Sequence, residues 1–298
     1  MPRCLAPMLL VLITTTVSGQ TTAWVWSKRD LKEIAAIERT VTAEGQGHRV
    51  ETAKWIVVTE VSPRFTAELA LFMGRFESAF AGLMKGIHDG KKVERKPTVF
   101  IYASEEAYKK KFPGGSRGYY QYQNDWSELH VYSFIDEEKE RDFKFFYYPI
   151  LIHEGTHLLT RTYLGQVPNP QWFDEGVATY FQFWNLSAPG KTNLKSRYSR
   201  SFYRAVLKEA YLKEPPSLNT LFTVKVWNPD DMGPQAKGHY ALAESFIDFM
   251  LSSKGGRKVF QRTFQRLLVR AELFSAREIA QLEPAWHAHL RSVTGLSE

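Results

Sequence analysis

The chain has 298 residues, 44% hydrophobic and 14% aromatic, enough to fill a sizeable core and too apolar for a disordered polymer. Its formal charge of +7 comes from scattered lysines and arginines, with local clusters at Lys91 to Lys96 and Lys109 to Lys111. No nucleic-acid motif accompanies them, which argues against a nucleic-acid partner and for a solvated surface, with weak attraction to anionic envelope polymers as the sharper reading.

Met1-Pro2-Arg3, the apolar run Leu5 to Ile13 and the small residues Val17-Ser18-Gly19 read as a secretory signal peptide over 1–19, cleaved near Gly19 or Gln20. The run is too short to span a bilayer comfortably, so no stable membrane span is expected. Cys4, the only cysteine, precedes the apolar run and leaves with it. A mature chain without disulfides fits a secreted or periplasmic bacterial protein. Lys54 to Glu60 reads as a strand, and Ser62-Pro63 as the start of a helix. On it Phe65, Leu69, Phe72, Phe76, Phe80, Leu83 and Ile87 recur on one face. Thr98 to Tyr102 is a second strand, Ser104 caps a helix, Gly114-Gly115 marks a loop, and Gly118 to Phe134 forms a hairpin. Asn185-Leu186-Ser187 is a glycosylation sequon, meaningful only in a glycosylating host. Leu194 to Leu212, Tyr240 to Leu251, Arg257 to Val269 and Ala276 to Val293 read as helices. Strands early and helices late give an α+β body: an N-terminal α/β part over 20–142, with a small sheet and a cleft-edge strand, and a mainly helical part over 143–298.

His153-Glu154-Gly155-Thr156-His157 is the most informative stretch. On a helix, residues four apart share a face, so both imidazoles reach one metal ion. Glu154, one step round, can reach a water at that metal without becoming a ligand, which suits a general base. Pro149, Ile150-Leu151-Ile152 and Leu158-Leu159 predict a buried helix beginning near Pro149 and ended by Gly165. Three ionisable groups in so apolar a helix need partners, and a metal supplies one. A second helical pattern follows a Pro-Asn-Pro turn, and Glu175, 18 positions after His157, is brought back towards the metal. Two neutral imidazoles and a carboxylate leave an open position for water, as in a catalytic rather than a structural zinc site. One Zn2+ per chain is expected, held by His153, His157 and Glu175.

These residues, with Trp172-Phe173-Asp174-Glu175-Gly176-Val177-Ala178, resemble the gluzincin zinc metallopeptidases. The likeness is to the peptidase-MA-like proteins and the catalytic domain of the aminopeptidase N type, whose second motif reads W-x-x-E-G-x-A. It is strong over roughly residues 143 to 184. The resemblance implies a zincin-like (thermolysin-like) catalytic domain, His153, His157 and Glu175 as zinc ligands and Glu154 as base. It also implies an oxyanion-stabilising tyrosine some sixty residues past the glutamate ligand. Tyr240, 65 positions after Glu175, fits that place, and His239 competes because other gluzincins use a histidine. Asp174 and Thr179 lie near in sequence, but helix geometry singles out neither to support the histidines.

The G-x-M-E-N segment by which such aminopeptidases capture a free amine is missing from the corresponding stretch, Asp125 to Ser133. That stretch suits a strand beside the cleft, to whose edge a peptide adds. The expected activity is therefore that of a secreted zinc endopeptidase acting on peptide or protein substrates. The alternative is a non-catalytic metal-binding envelope or adhesion module on the same fold. Glu154 favours the enzyme, because a binding module has no chemical need for a base there. His287 and His289, two apart on a helix, face different directions and read as surface residues.

Overall fold

The computed structural model of the protein describes residues 26–85, 96–113, 118–123, 126–132, 140–164, 169–182, 197–224 and 235–296. The expected signal peptide, Ile87, the Gly114-Gly115 loop and the sequon lie outside these residues.

Helix α1 (Lys28–Glu38) starts at Ser27, whose hydroxyl accepts from the Asp30 amide while Asp30 accepts from the Ser27 amide. Strands β1 (Thr42–Glu44), β2 (Gly47–Glu51) and β3 (Ile56–Thr59) follow, then α2 (Pro63–Met84). Ser62 caps α2 as the sequence predicts, and Phe65, Leu69, Phe72, Phe76 and Phe80 are buried along it. Next come β4 (Thr98–Tyr102), α3 (Glu105–Lys111) capped by Ser104, β5 (Gly118–Gln123) and β6 (Trp126–Tyr132).

The strands form one six-stranded sheet in the order β1-β2-β3-β4-β6-β5. Its centre is parallel, β3 on β4 and β4 on β6, and β5 turns back antiparallel on β6 from Gly118↔Val131 to Gln123↔Trp126. Period-two alternation sends Val57, Val99, Ile101, Leu129 and Val131 into the core under α2 and α4. On the opposite face Tyr108 of α3 packs against Tyr102 and Tyr132. The hairpin is as expected, but its role is reversed. Trp126–Tyr132 is an interior strand between β4 and β5, so the edge beside the helices belongs to β5.

The remainder is helical: α4 (Glu140–Leu164), α5 (Gln171–Gln182), α6 (Arg197–Lys213), α7 (Leu218–Thr223), α8 (Gln235–Ser252), α9 (Lys254–Leu268) and α10 (Ala276–Thr294). Helix α4 starts well before Pro149, against the expectation. A proline inside a helix costs about 3 kcal/mol, which a long helix with a buried C-terminal half can offset. Helix α5 packs between α4 and α8. Gly176 allows its close approach to α8, since a Cβ there would stand 2.9 Å from the Ala243 carbonyl oxygen. Buried side chains form one core across residue 142, with Phe76 and Phe80 of α2 against Phe181 of α5. The chain is a mixed α+β molecule, with the sheet first and the helices after. Among the described residues no helix is long and apolar enough to cross a membrane.

Candidate metal centre

Helix α4 carries His153 and His157 one turn apart, and α5 packs against it so that Glu175, in its second turn, faces both. His153 Nε2 lies 3.2 Å from His157 Nε2 and 3.2 Å from Glu175 Oε2, and His157 Nε2 lies 3.6 Å from Glu175 Oε2. Three ligand atoms thus converge on one point, a group that could hold a metal ion. Glu175 Oε2 is buried and meets neither imidazole at hydrogen-bonding angles despite these distances. Such an orphaned acceptor is costly unless a cation completes it. All three residues predicted from the sequence as ligands are therefore brought together.

The outer nitrogens are held as well. His153 Nδ1 donates to Gln182 Oε1 at 3.1 Å, a residue two turns beyond Glu175 on α5. His157 Nδ1 lies 3.2 Å from Asp174 Oδ1, obliquely, so the contact is mainly ionic. Asp174 is fixed in turn by Asn169, whose Nδ2 donates to Oδ1 at 2.9 Å, and by Arg161 at 3.5 Å from Oδ2. From β5, Tyr120 stacks on the His157 ring at 5.2 Å and 20°. Asp174, not Thr179, is thus the residue beside His157. Gln182, Asn169, Arg161 and Tyr120 are additions that the sequence reading missed. For Gln182 a signal existed, because positions seven apart share a helix face.

Burial grades across the cluster. The His157 side chain is 5% exposed, against 16% for His153 and 19% for Glu175, so the centre opens on the side of the latter two. Burial alone would raise the Glu175 pKa, but its close contacts with His153 and His157 override it and hold the carboxyl well below its usual range. Burial would likewise lower His157, yet the charge of Asp174 beside it carries it well above its ordinary value. The two carboxylates thus favour a positive charge at the His157 ring. A metal cation can supply that charge.

Glu154 is half-buried on α4, with its Cγ against Gly118 at the start of β5. The Tyr240 ring stands 6.4 Å from the His153 ring, on the side of the centre where Glu175 lies. Burial first, then the negative charge of Glu175, raise the Tyr240 pKa far above the phenol range, so it keeps its proton as a donor must. His239, the competing candidate, is half-buried, and burial lowers its pKa. His287 and His289 diverge as expected but are not surface residues. Both are partly buried: His287 Nε2 donates to the Pro216 carbonyl at 2.7 Å, and His289 Nε2 pairs with Asp248 of α8 at 3.2 Å. In comparisons with known proteins, no family model and no curated protein matches the chain.

Proposed function

We propose that this protein is a secreted zinc metallopeptidase of the gluzincin, peptidase-MA-like type on a zincin-like fold, cleaving peptide bonds within a chain. The observation that carries the proposal is the convergence of His153, His157 and Glu175, with Glu154 beside them on the same helix. Ligand atoms about 2.0–2.1 Å from a tetrahedral zinc stand about 3.3 Å apart. The observed separations of 3.2, 3.2 and 3.6 Å fit that spacing. Two imidazoles and one carboxylate, with no thiolate, are the donor set of a catalytic site.

Zinc held there supplies Lewis-acid activation of a water molecule near neutral pH. Glu154, next to His153 on α4, would serve as the base that takes a proton from an attacking water and passes it to the leaving amine. Tyr240 donates its hydroxyl hydrogen to the developing oxyanion. Asp174 and Gln182 keep the two imidazoles turned inward. The outer edge of β5 offers an extended substrate a backbone ladder beside the centre. With no amine-capturing motif, this favours internal bonds.

The test pairs metal analysis with turnover of an unfolded protein such as casein. The wild type should carry one zinc and cleave, whereas Glu154→Gln should keep its zinc and lose about 10²–10⁴-fold in rate. Stoichiometric zinc with no Glu154-dependent hydrolysis of any peptide or amide library would instead establish the non-catalytic binding module.

A further inference from the structure

Strand β5 begins where α4 presents Ile150 and Glu154, one turn apart. Gly118, its first residue, is buried against both. A Cβ at this position would stand 2.9 Å from Glu154 Cγ, 3.1 Å from Ile150 Cγ2 and 3.6 Å from Val131 Cγ2. The first distance is closer than real Cβ contacts come. The backbone here does not itself call for glycine, since the positive-φ glycines are Gly45 and Gly295. Glycine is needed at 118 for space alone, and the neighbour that takes the space is Glu154.

The contact falls on the middle of that side chain, not on its flexible end. Cγ is bonded directly to the carboxylate carbon, so the χ1 torsion that places Cγ carries the carboxylate with it. The strand cannot withdraw cheaply, because Gly118 pairs with Val131 in a ladder that continues to Gln123 and Trp126. Two residues along, Tyr120 stacks on His157, tying the same strand to the ligand set. The start of β5 therefore forms a fixed wall on one side of Glu154. A methyl group at 118 would rotate Glu154 away while leaving His153, His157 and Glu175 untouched.

We propose that Gly118 is a positioning residue for Glu154, its missing side chain setting the rotamer in which the carboxylate serves the metal centre. The proposal rests on reading Glu154 as the base. It is tested with the zinc-loaded full chain carrying Gly118→Ala, and with the double variant Gly118→Ala/Ile150→Ala, in which removing Cγ2 of Ile150 takes away the methyl's second tight contact on α4, so that a small shift of α4 rather than a turn of Glu154 can accommodate it. The expected result for the single variant is wild-type zinc content, a kcat lower by about 10²-fold, as a misplacement of about 1 Å produces, and little change in KM. The double variant should recover about tenfold or more. Unchanged kcat in Gly118→Ala overturns the proposal. So does loss of zinc or of cooperative folding in that variant, which would make Gly118 a purely structural residue.

Crystal structures of zinc-loaded wild type and Gly118→Ala separate this inference from the one beneath it. If the wild type shows no Glu154-dependent turnover, the peptidase reading fails. The rotamer of Glu154 then decides the steric claim alone: displaced in the Gly118→Ala variant it supports the claim, unmoved it refutes it.

Discussion

Asp174 is the residue on which the inner half of the centre depends. It accepts from Asn169, faces Arg161 and stands beside His157 Nδ1, so one carboxylate joins the α4–α5 turn, the end of α4 and a ligand. Its charge turns His157 so that Nε2 points inward, while Gln182 does the same for His153 with a neutral amide. Partners of this kind contribute about 10–100-fold to metal affinity. Asp174→Ala should lower zinc affinity by about that factor, read by competition with a chromophoric chelator; unchanged affinity would mean that Tyr120 stacking alone holds the ring. The sequence displays Asp174 next to Glu175 but conceals its task. Neighbours on a helix point about 100° apart, which sends Asp174 away from the metal. It reaches the site because an imidazole spans the gap and offers its second nitrogen on the far side.

At the scale of elements, the seat of the site is the α5–α8 contact. Gly176→Ala would place a methyl 2.9 Å from the Ala243 carbonyl oxygen and 3.0 Å from Ile247 Cγ1, one residue from ligand Glu175. Overpacking of this kind costs about 1–3 kcal/mol, so thermal unfolding should shift down and zinc affinity should weaken with it. A variant as stable as the wild type would show that α8 can slide. Helix α10 offers a second test, because Glu278 closes its capping box with Ser275 and pairs with Arg266 at 2.9 Å. The Arg266 guanidinium and the Ser275 amide hold its carboxyl down at about 2. A depressed carboxyl stabilises the fold above its unfolded value near 4.5 and loses that contribution as pH falls towards about 2. Glu278→Gln should therefore cost about 1 kcal/mol near neutrality, a deficit that vanishes in acid. Denaturant melts across that range check it.

The same capping chemistry explains what was legible. The starts of α2 and α3 follow from Ser62 and Ser104, because an N-cap is a local hydrogen bond between residues near in sequence. The start of α4 is hidden in the sequence because Pro149, inside the helix, imitates a first-turn residue. That β5 rather than β6 is the edge was not legible, since strand order depends on partners far along the chain. The sequence reading also misses α1 and the β1–β2 hairpin; for α1 the signal is present, since Ser27 and Asp30 form a capping box ahead of an amphipathic stretch.

For the whole molecule, the His153-His157-Glu175 cluster gives the proposed zinc site a link to both folding and protons. The sheet with α2 and the helices from α5 to α10 meet across α4, so the ligands join two parts that share one core. On the proposed reading, zinc would bind only where α4 and α5 are packed, and at a free concentration of 100 Kd it would stabilise the folded state by about 2.7 kcal/mol. The increment depends on pH. In the metal-free protein the His157 pKa is raised, so its contribution is complete below the unfolded value near 6.5 and is lost as pH rises through the folded one. Glu175 has the opposite sign: its pKa is lowered, and its contribution fades only as pH falls below about 4.5, outside the neutral window. Zinc at this site would have to displace the His157 proton, so its binding should strengthen as pH rises towards that raised pKa. With free zinc buffered at one concentration, the rise in Tm on adding zinc should be larger at about pH 8 than at about pH 6. Calorimetry of the wild type beside Glu175→Gln measures it. The variant should show a smaller increment at both values, since it lacks one ligand charge. An equal increment for the wild type at the two values would mean that His157 is already neutral without the metal, and that Asp174 orients the ring without charging it.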